Sequence, residues 1–124
     1  MTPILRVEVL GKIVSDGHAV NVIPVEVFFT GECFRIGSTK GAAGNDLCLN
    51  DPTVSRHHAS VRVEQGQWHI RDEHSDNGVW KVDLDNRTSE RIRELKLEKP
   101  TSIALGRVLL RLSPVVGPSP NASQ

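Results

Sequence analysis

Four consecutive residues, Ser55-Arg56-His57-His58, put a hydroxyl, a guanidinium and two imidazoles on one short stretch of chain. Three kinds of chemistry use such groups. The first is metal binding, for which His57, His58, His69, His74, Cys33 and Cys48 offer nitrogen and sulfur donors. Their spacings match no zinc pattern, and adjacent histidines on a strand point to opposite faces, so no metal and no other cofactor is expected. The second is hydrolysis by Ser55, His58 and Asp72. The chain has neither a nucleophile elbow nor a Gly-rich phosphate loop, and a triad needs geometry as well as residue types. No catalytic residue and no enzyme activity are expected. The third is anion binding, since Ser55 and Arg56 supply a hydroxyl and a guanidinium side by side. Against it stands a plainer reading, a serine bonded to local backbone next to a solvated arginine.

Composition narrows the field. The 124 residues carry 15 Lys plus Arg and 15 Asp plus Glu. A net charge of zero argues against a general nucleic-acid binder or a membrane-surface binder, so any recognition of an anion must be local. No stretch approaches the roughly 20 apolar residues of a membrane helix, and no signal peptide is visible. A soluble, cytoplasmic protein with no membrane insertion is expected. Of the two cysteines, Cys48 lies in Leu47-Cys48-Leu49 and reads as a small buried hydrophobe.

The elements that must position these groups are strands. Leu5, Val7 and Val9 alternate with polar or lesser apolar residues, as do Phe34 and Ile36, Ala59, Val61 and Val63, and Trp68 and Ile70. A period of two with β-branched enrichment is the pattern of half-buried strands. Val20, Val22, Val25 and Val27 recur around Pro24, which predicts a bend or bulge there. Turn residues fall between the runs at Ser15-Asp16-Gly17, Gln65-Gly66, Asp76-Asn77-Gly78 and Gly106. Nine to eleven short strands spaced this way predict an all-β sandwich or barrel. Residues 88–97, rich in Glu, Arg and Leu, are expected to form a loop with a helical turn. The domain is expected to span residues 1–112, and the Pro- and Ser-containing residues 113–124 to form a tail or linker.

The order of motifs from Phe34 to Trp80 resembles the forkhead-associated (FHA) family. The residues that carry the resemblance are Phe34-Arg35-Ile36-Gly37-Ser38, Val54-Ser55-Arg56-His57-His58-Ala59, Trp68-His69-Ile70-Arg71-Asp72 and Ser75-Asp76-Asn77-Gly78. The family shows an Ile-Gly-Arg strand end, a Ser-x-x-His loop, a Trp-x-apolar-x-Asp strand and a Ser-x-Asn-Gly turn, in that order. The resemblance implies a SMAD/FHA-like β-sandwich of about eleven strands, whose end loops bind phosphothreonine peptides. It implies a protein–protein interaction module, an adaptor in Ser/Thr kinase signalling whose partner is a phosphorylated protein.

A phosphate carries about −1.5 to −2 charges, so it needs clustered donors. By resemblance Ser55 would contact it and Asn77 would bond the peptide main chain, its amide being donor and acceptor at once. Gly37, His58 and Gly78 would be framework residues, with His58 bonded within the protein. Asn77-Gly78 reads equally well as a plain hairpin turn. Three departures weaken the phosphate pocket. Ser38 stands where the family has an arginine, Asp76 puts a like charge beside the site, and Lys81-Val82-Asp83 replaces an expected second asparagine. Lys40 and Arg56 could compensate for the missing arginine, so the candidate phosphopeptide residues are Ser38, Lys40, Ser55, Arg56 and Asn77. The Ile-Gly-Ser variant is similar to divergent FHA domains of secretion-apparatus ring proteins. That implies an alternative, a scaffold domain that binds partners independently of phosphate.

Overall fold

The computed structural model describes residues 3–13, 19–39 and 44–115. Eleven strands form two sheets. The six-stranded sheet has the order β2 (Ala19–Thr30), β1 (Ile4–Ile13), β11 (Val108–Val115), β10 (Thr101–Leu105), β7 (Val79–Asp83), β8 (Thr88–Ile92). The five-stranded sheet has the order β4 (Leu47–Leu49), β3 (Cys33–Ser38), β5 (Ala59–Glu64), β6 (Gln67–Asp72), β9 (Glu94–Leu97). Alternate residues of both sheets turn inward, as a half-buried strand requires. Leu5, Val7, Ile103, Leu110 and Leu112 from one sheet meet Phe34, Ile36, Val61, Trp68 and Ile70 from the other in one core. Phe34 anchors an aromatic cluster there, stacked on Phe29 and meeting Trp68 edge-on.

The all-β sandwich matches the sequence expectation, and two local expectations do not. Residues 88–97 hold no helical turn. They form β8 and β9, the edge strands of the two sheets, with Arg93 alone between them. Cys48 is exposed rather than buried: in β4 the two leucines turn inward and the cysteine between them must turn out. β11 runs from Val108 through Val115; residues 116–124, most of the expected tail, lie outside the described ones. Around Pro24 the pairing of β1 with β2 shifts register between Val9 and Gly11. Proline cannot donate to the ladder.

Among the described residues all the pairings except one are antiparallel. β3 and β4 run parallel, with Gly37 opposite Cys48. β1 and β11 pair directly, Ile4 opposite Val115 and Lys12 opposite Val108. The first and last described strands thus meet, with Ile4 and Val115 at one pole. The β3–β4, β4–β5, β6–β7 and β10–β11 connections gather at the other, with the β8–β9 corner beside them.

Candidate functional site

His58 sits at the centre of the loop-bearing pole and is fully buried. Its Nδ1 accepts the backbone N–H of Ser55 at 3.0 Å. That fixes the other ring nitrogen as the donor, and Nε2 bonds the Gly78 carbonyl at 2.7 Å. Its own backbone N–H donates to Ile36 O, and its carbonyl accepts from Glu73 N, both at 2.9 Å. One residue therefore ties the β4–β5 loop to the β6–β7 loop and to β3. Burial pushes the imidazole pKa below its ordinary 6.5, outweighing the opposing pull of the Gly78 carbonyl and of Asp72 and Asp76. A proton on Nδ1 would also face the Ser55 N–H, so the ring is neutral.

Two glycines fit around this hub. A side chain on Gly37 would run into the Arg56 carbonyl, so the β4–β5 loop packs against β3 backbone to backbone. Gly78 has φ +88, a left-handed conformation that favours glycine. Its N–H bonds Ser75 Oγ at 3.0 Å, and Ser75 N in turn bonds Asp72 Oδ1 at 2.9 Å.

Above the hub lie the candidate donors. Ser55 Oγ accepts the backbone N–H of Asp76 at 3.1 Å. That bond uses a lone pair and leaves the hydroxyl proton to donate elsewhere. Arg56 is exposed, with its carbonyl held by Asn45 Nδ2 at 2.6 Å. Asn77 is exposed, and its Nδ2 donates to Thr53 O at 2.8 Å, bridging the two loops. Ser38 lies beneath them: its N–H bonds Ser55 O at 2.9 Å. At 5% exposure its Oγ has no hydrogen-bond partner among the described residues, an arrangement that is rare for a buried hydroxyl. Ser38, Ser55, Arg56 and Asn77 are thus gathered at one pole. Lys40 lies outside the described residues. Among the described residues, no cluster of three His, Cys, Asp or Glu is placed to hold a metal, and no helix is long and apolar enough to cross a membrane.

Three residues with structural roles in the site were not singled out from the sequence. Asn45 donates to both Arg56 O and Ser38 O and accepts from His57 Nδ1 at 3.1 Å, locking the end of the β3–β4 loop onto the β4–β5 loop. In the sequence it follows Gly41-Ala42-Ala43-Gly44, a context in which asparagine is an ordinary turn residue. Asp51 is buried and binds Lys12 at 2.9 Å and Arg107 at 3.0 Å. It also accepts from Thr53 N and Oγ1 at 2.9 and 2.6 Å. Burial alone would raise its pKa, but the bonds from Lys12, Thr53 and Arg107 together hold the carboxyl well below the usual carboxylate range. Thr53 is the third: it hands that anchoring on, through its carbonyl, to Asn77. The partners of Asp51 and Thr53 on other loops are too distant in the chain for any local pattern to reveal them.

Comparison with known proteins bears on the family and the fold. A search of curated protein sequences finds no match. Among solved structures, the first FHA domain of Rv1747 from Mycobacterium tuberculosis is similar at a TM-score of 0.66 and 21% identity, over 94% of this chain and all of that one. The FHA domain of an Arabidopsis thaliana hypothetical protein gives 0.64 and 27%, over 95% of this chain and 91% of that one. EmbR of Mycobacterium tuberculosis, solved in complex with a low-affinity phosphopeptide, gives 0.62 and 24%, over 91% of this chain and 26% of that one. The family model for the FHA domain matches residues 34–106, from the first core aromatic of β3 to the β10–β11 turn. With its strand order and His58-centred loop brace in place, the chain belongs to the FHA domain family.

Proposed function

We propose that this chain is a phosphothreonine-peptide-binding module, an adaptor in Ser/Thr kinase signalling that works in the cytoplasm and joins a phosphorylated partner through its loop-bearing pole. The observation that carries the reading is the Ser55 hydroxyl, braced by the Asp76 N–H so that its proton is free, beside the exposed Arg56. Hydrogen bonds to a charged group contribute about 1.5–3 kcal/mol each, and a hydroxyl with a guanidinium is a donor set suited to a phosphate. Asn77 retains its carbonyl oxygen and one amide proton for a peptide main chain. The phosphopeptide seen with EmbR supports the ligand class.

A second reading has its own observation. Ser38 is buried and uncharged, and the exposed Asp76 stands beside Ser55. A scaffold that binds partners without phosphate fits that pair of residues.

A degenerate phosphothreonine peptide library, set against its unphosphorylated copy, separates the two. The first reading expects retention of the phosphorylated pool, and loss of that retention in Arg56→Ala with an unchanged unfolding midpoint. Equal retention of both pools favours the scaffold, and retention of neither sinks the phosphothreonine reading.

A further inference from the structure

The β6–β7 loop has two faces. One carries Asp76 and Asn77 against the β4–β5 loop. The other walls an open groove of about 900 Å³, whose far side is Arg91 to Glu94 at the β8–β9 corner. The carboxylates of this groove are engaged within the protein. Asp72 accepts the Ser75 N–H, Glu73 accepts the Ser60 hydroxyl at 2.6 Å, and Glu94 pairs with Arg71 at 3.0 Å. Two of its cations are not: among the described residues neither Arg91 nor Arg93 has a carboxylate partner.

Arg91 is held in place all the same. Its guanidinium lies over the Trp80 ring, 6.0 Å from the centroid, a favourable cation–π distance. The Trp80 indole N–H is itself fixed on Asn77 O at 2.8 Å. Arg91 Nε lies only 2.7 Å from where a side chain on Gly78 would begin. The missing side chain is what lets this arginine lie across the loop backbone at Gly78. Arg93 projects from the single-residue corner, whose carbonyl is pinned by Asp72 N at 2.8 Å. Two guanidiniums without carboxylate partners thus line a concave surface that shares a wall with the candidate phosphate site. A guanidinium matches a planar or tetrahedral oxyanion through paired N–H donors.

We infer that this groove seats a second oxyanion of the bound peptide, read by Arg91 and Arg93. The group is an Asp or Glu carboxylate, or a second phosphate, on the flank of the phosphothreonine. The inference rests on the phosphothreonine reading and adds what that reading lacks, a preference for acidic sequence around the phosphorylated residue.

The test is fluorescence anisotropy on the full chain with a phosphothreonine peptide carrying alanine at every flanking position. A series then places one Asp, or one phosphoserine, at each of about four positions on either side. An acidic residue at one or two positions is expected to tighten binding about fivefold, and less at high salt. Arg91→Gln with Arg93→Gln is expected to remove that gain and leave the all-alanine affinity unchanged. Because Arg91 also packs on Trp80, Arg93→Gln alone is measured too and should remove part of the gain with an unaltered unfolding midpoint. A gain from phosphoserine only assigns the groove to a second phosphate; a gain from Asp shows that a carboxylate suffices. Binding of the all-alanine peptide with no gain at any position, or a gain that survives the double substitution, overturns the groove alone. No binding of the all-alanine phosphopeptide overturns the phosphothreonine reading and the groove with it.

Discussion

Arg56 and His58, neighbours but one in Ser55-Arg56-His57-His58, live in different physical worlds. His58 is fully buried, and both its ring nitrogens and its backbone groups are paired. Arg56, two residues earlier, is exposed and faces water. The same division separates Gly37 from the loops above it and Gly78 from Asn77. The buried set fixes where the loops are, and the exposed set decides what they can hold. A buried polar group left unpaired costs about 1–3 kcal/mol, whereas an exposed one is repaired by water. The brace therefore tolerates little change, and the rim can drift chemically while the fold stays. Asp76 is such a rim residue, exposed in a domain whose brace is complete.

Substitutions can break this division at either side. The largest effect is expected at Gly37. In Gly37→Ala the new methyl meets the Arg56 carbonyl, a backbone atom that moves only with its loop. Overpacking of this kind costs about 3 kcal/mol. A urea titration should show the loss, and the variant should lose phosphopeptide binding along with stability. Stability unchanged within 0.5 kcal/mol, an order-of-magnitude threshold for a surface-like substitution, would show that the brace is softer than its geometry.

A smaller effect is expected from pH. The folded-state pKa of His58 lies below the 6.5 of the unfolded chain. Below that value the unfolded chain binds a proton that the native ring refuses. Its stability contribution is therefore complete above pH 6.5 and lost as pH falls, by at most about 1.4 kcal/mol per pH unit. Urea midpoints from pH 7.5 down to 5.5 should fall in the native protein, with a shallower fall in His58→Gln. Parallel profiles would remove His58 as the cause.

The smallest effect on stability, paired with a large one on binding, is expected at Ser55. Ser55→Ala removes one hydroxyl from a partly exposed site, and the Asp76 N–H it served is in an exposed residue. The unfolding midpoint should hardly move. Loss of one bond to a charged phosphate, about 2 kcal/mol, should weaken a phosphothreonine peptide roughly thirtyfold. The outcome that contradicts the division is a joint loss of fold and binding.

How much of this was legible in the chain depended on the range of each interaction. Alternation marked Phe34 and Ile36, Ala59 and Val61, and Trp68 and Ile70 as inward residues, because burial on one face leaves a period of two. β8 escaped because four of its five residues are exposed; an edge strand without a buried face has no such period to read. β9 was hidden by its single-residue junction with β8. Cys48 was misassigned from its apolar neighbours, although their inward orientation turns it outward. The Ser55 and Asn77 loops were found through spacing that resembles the family. Asp51 was not, because its partners Lys12 and Arg107 stand 39 and 56 positions away, as their numbers show.

The pairing of β1 with β11 has a mechanical consequence. Ile4 and Val115 are partners in the ladder, at the pole opposite the loops. A pull applied at these two points acts across the hydrogen bonds of an antiparallel pair, opening them in turn from Ile4 and Val115 toward Lys12 and Val108. Resistance is then set by one bonded pair at a time, the geometry of a zipper, and not by the whole ladder sheared at once. Load that enters at Ile4 and Val115 therefore reaches the sandwich at the pole opposite the candidate site.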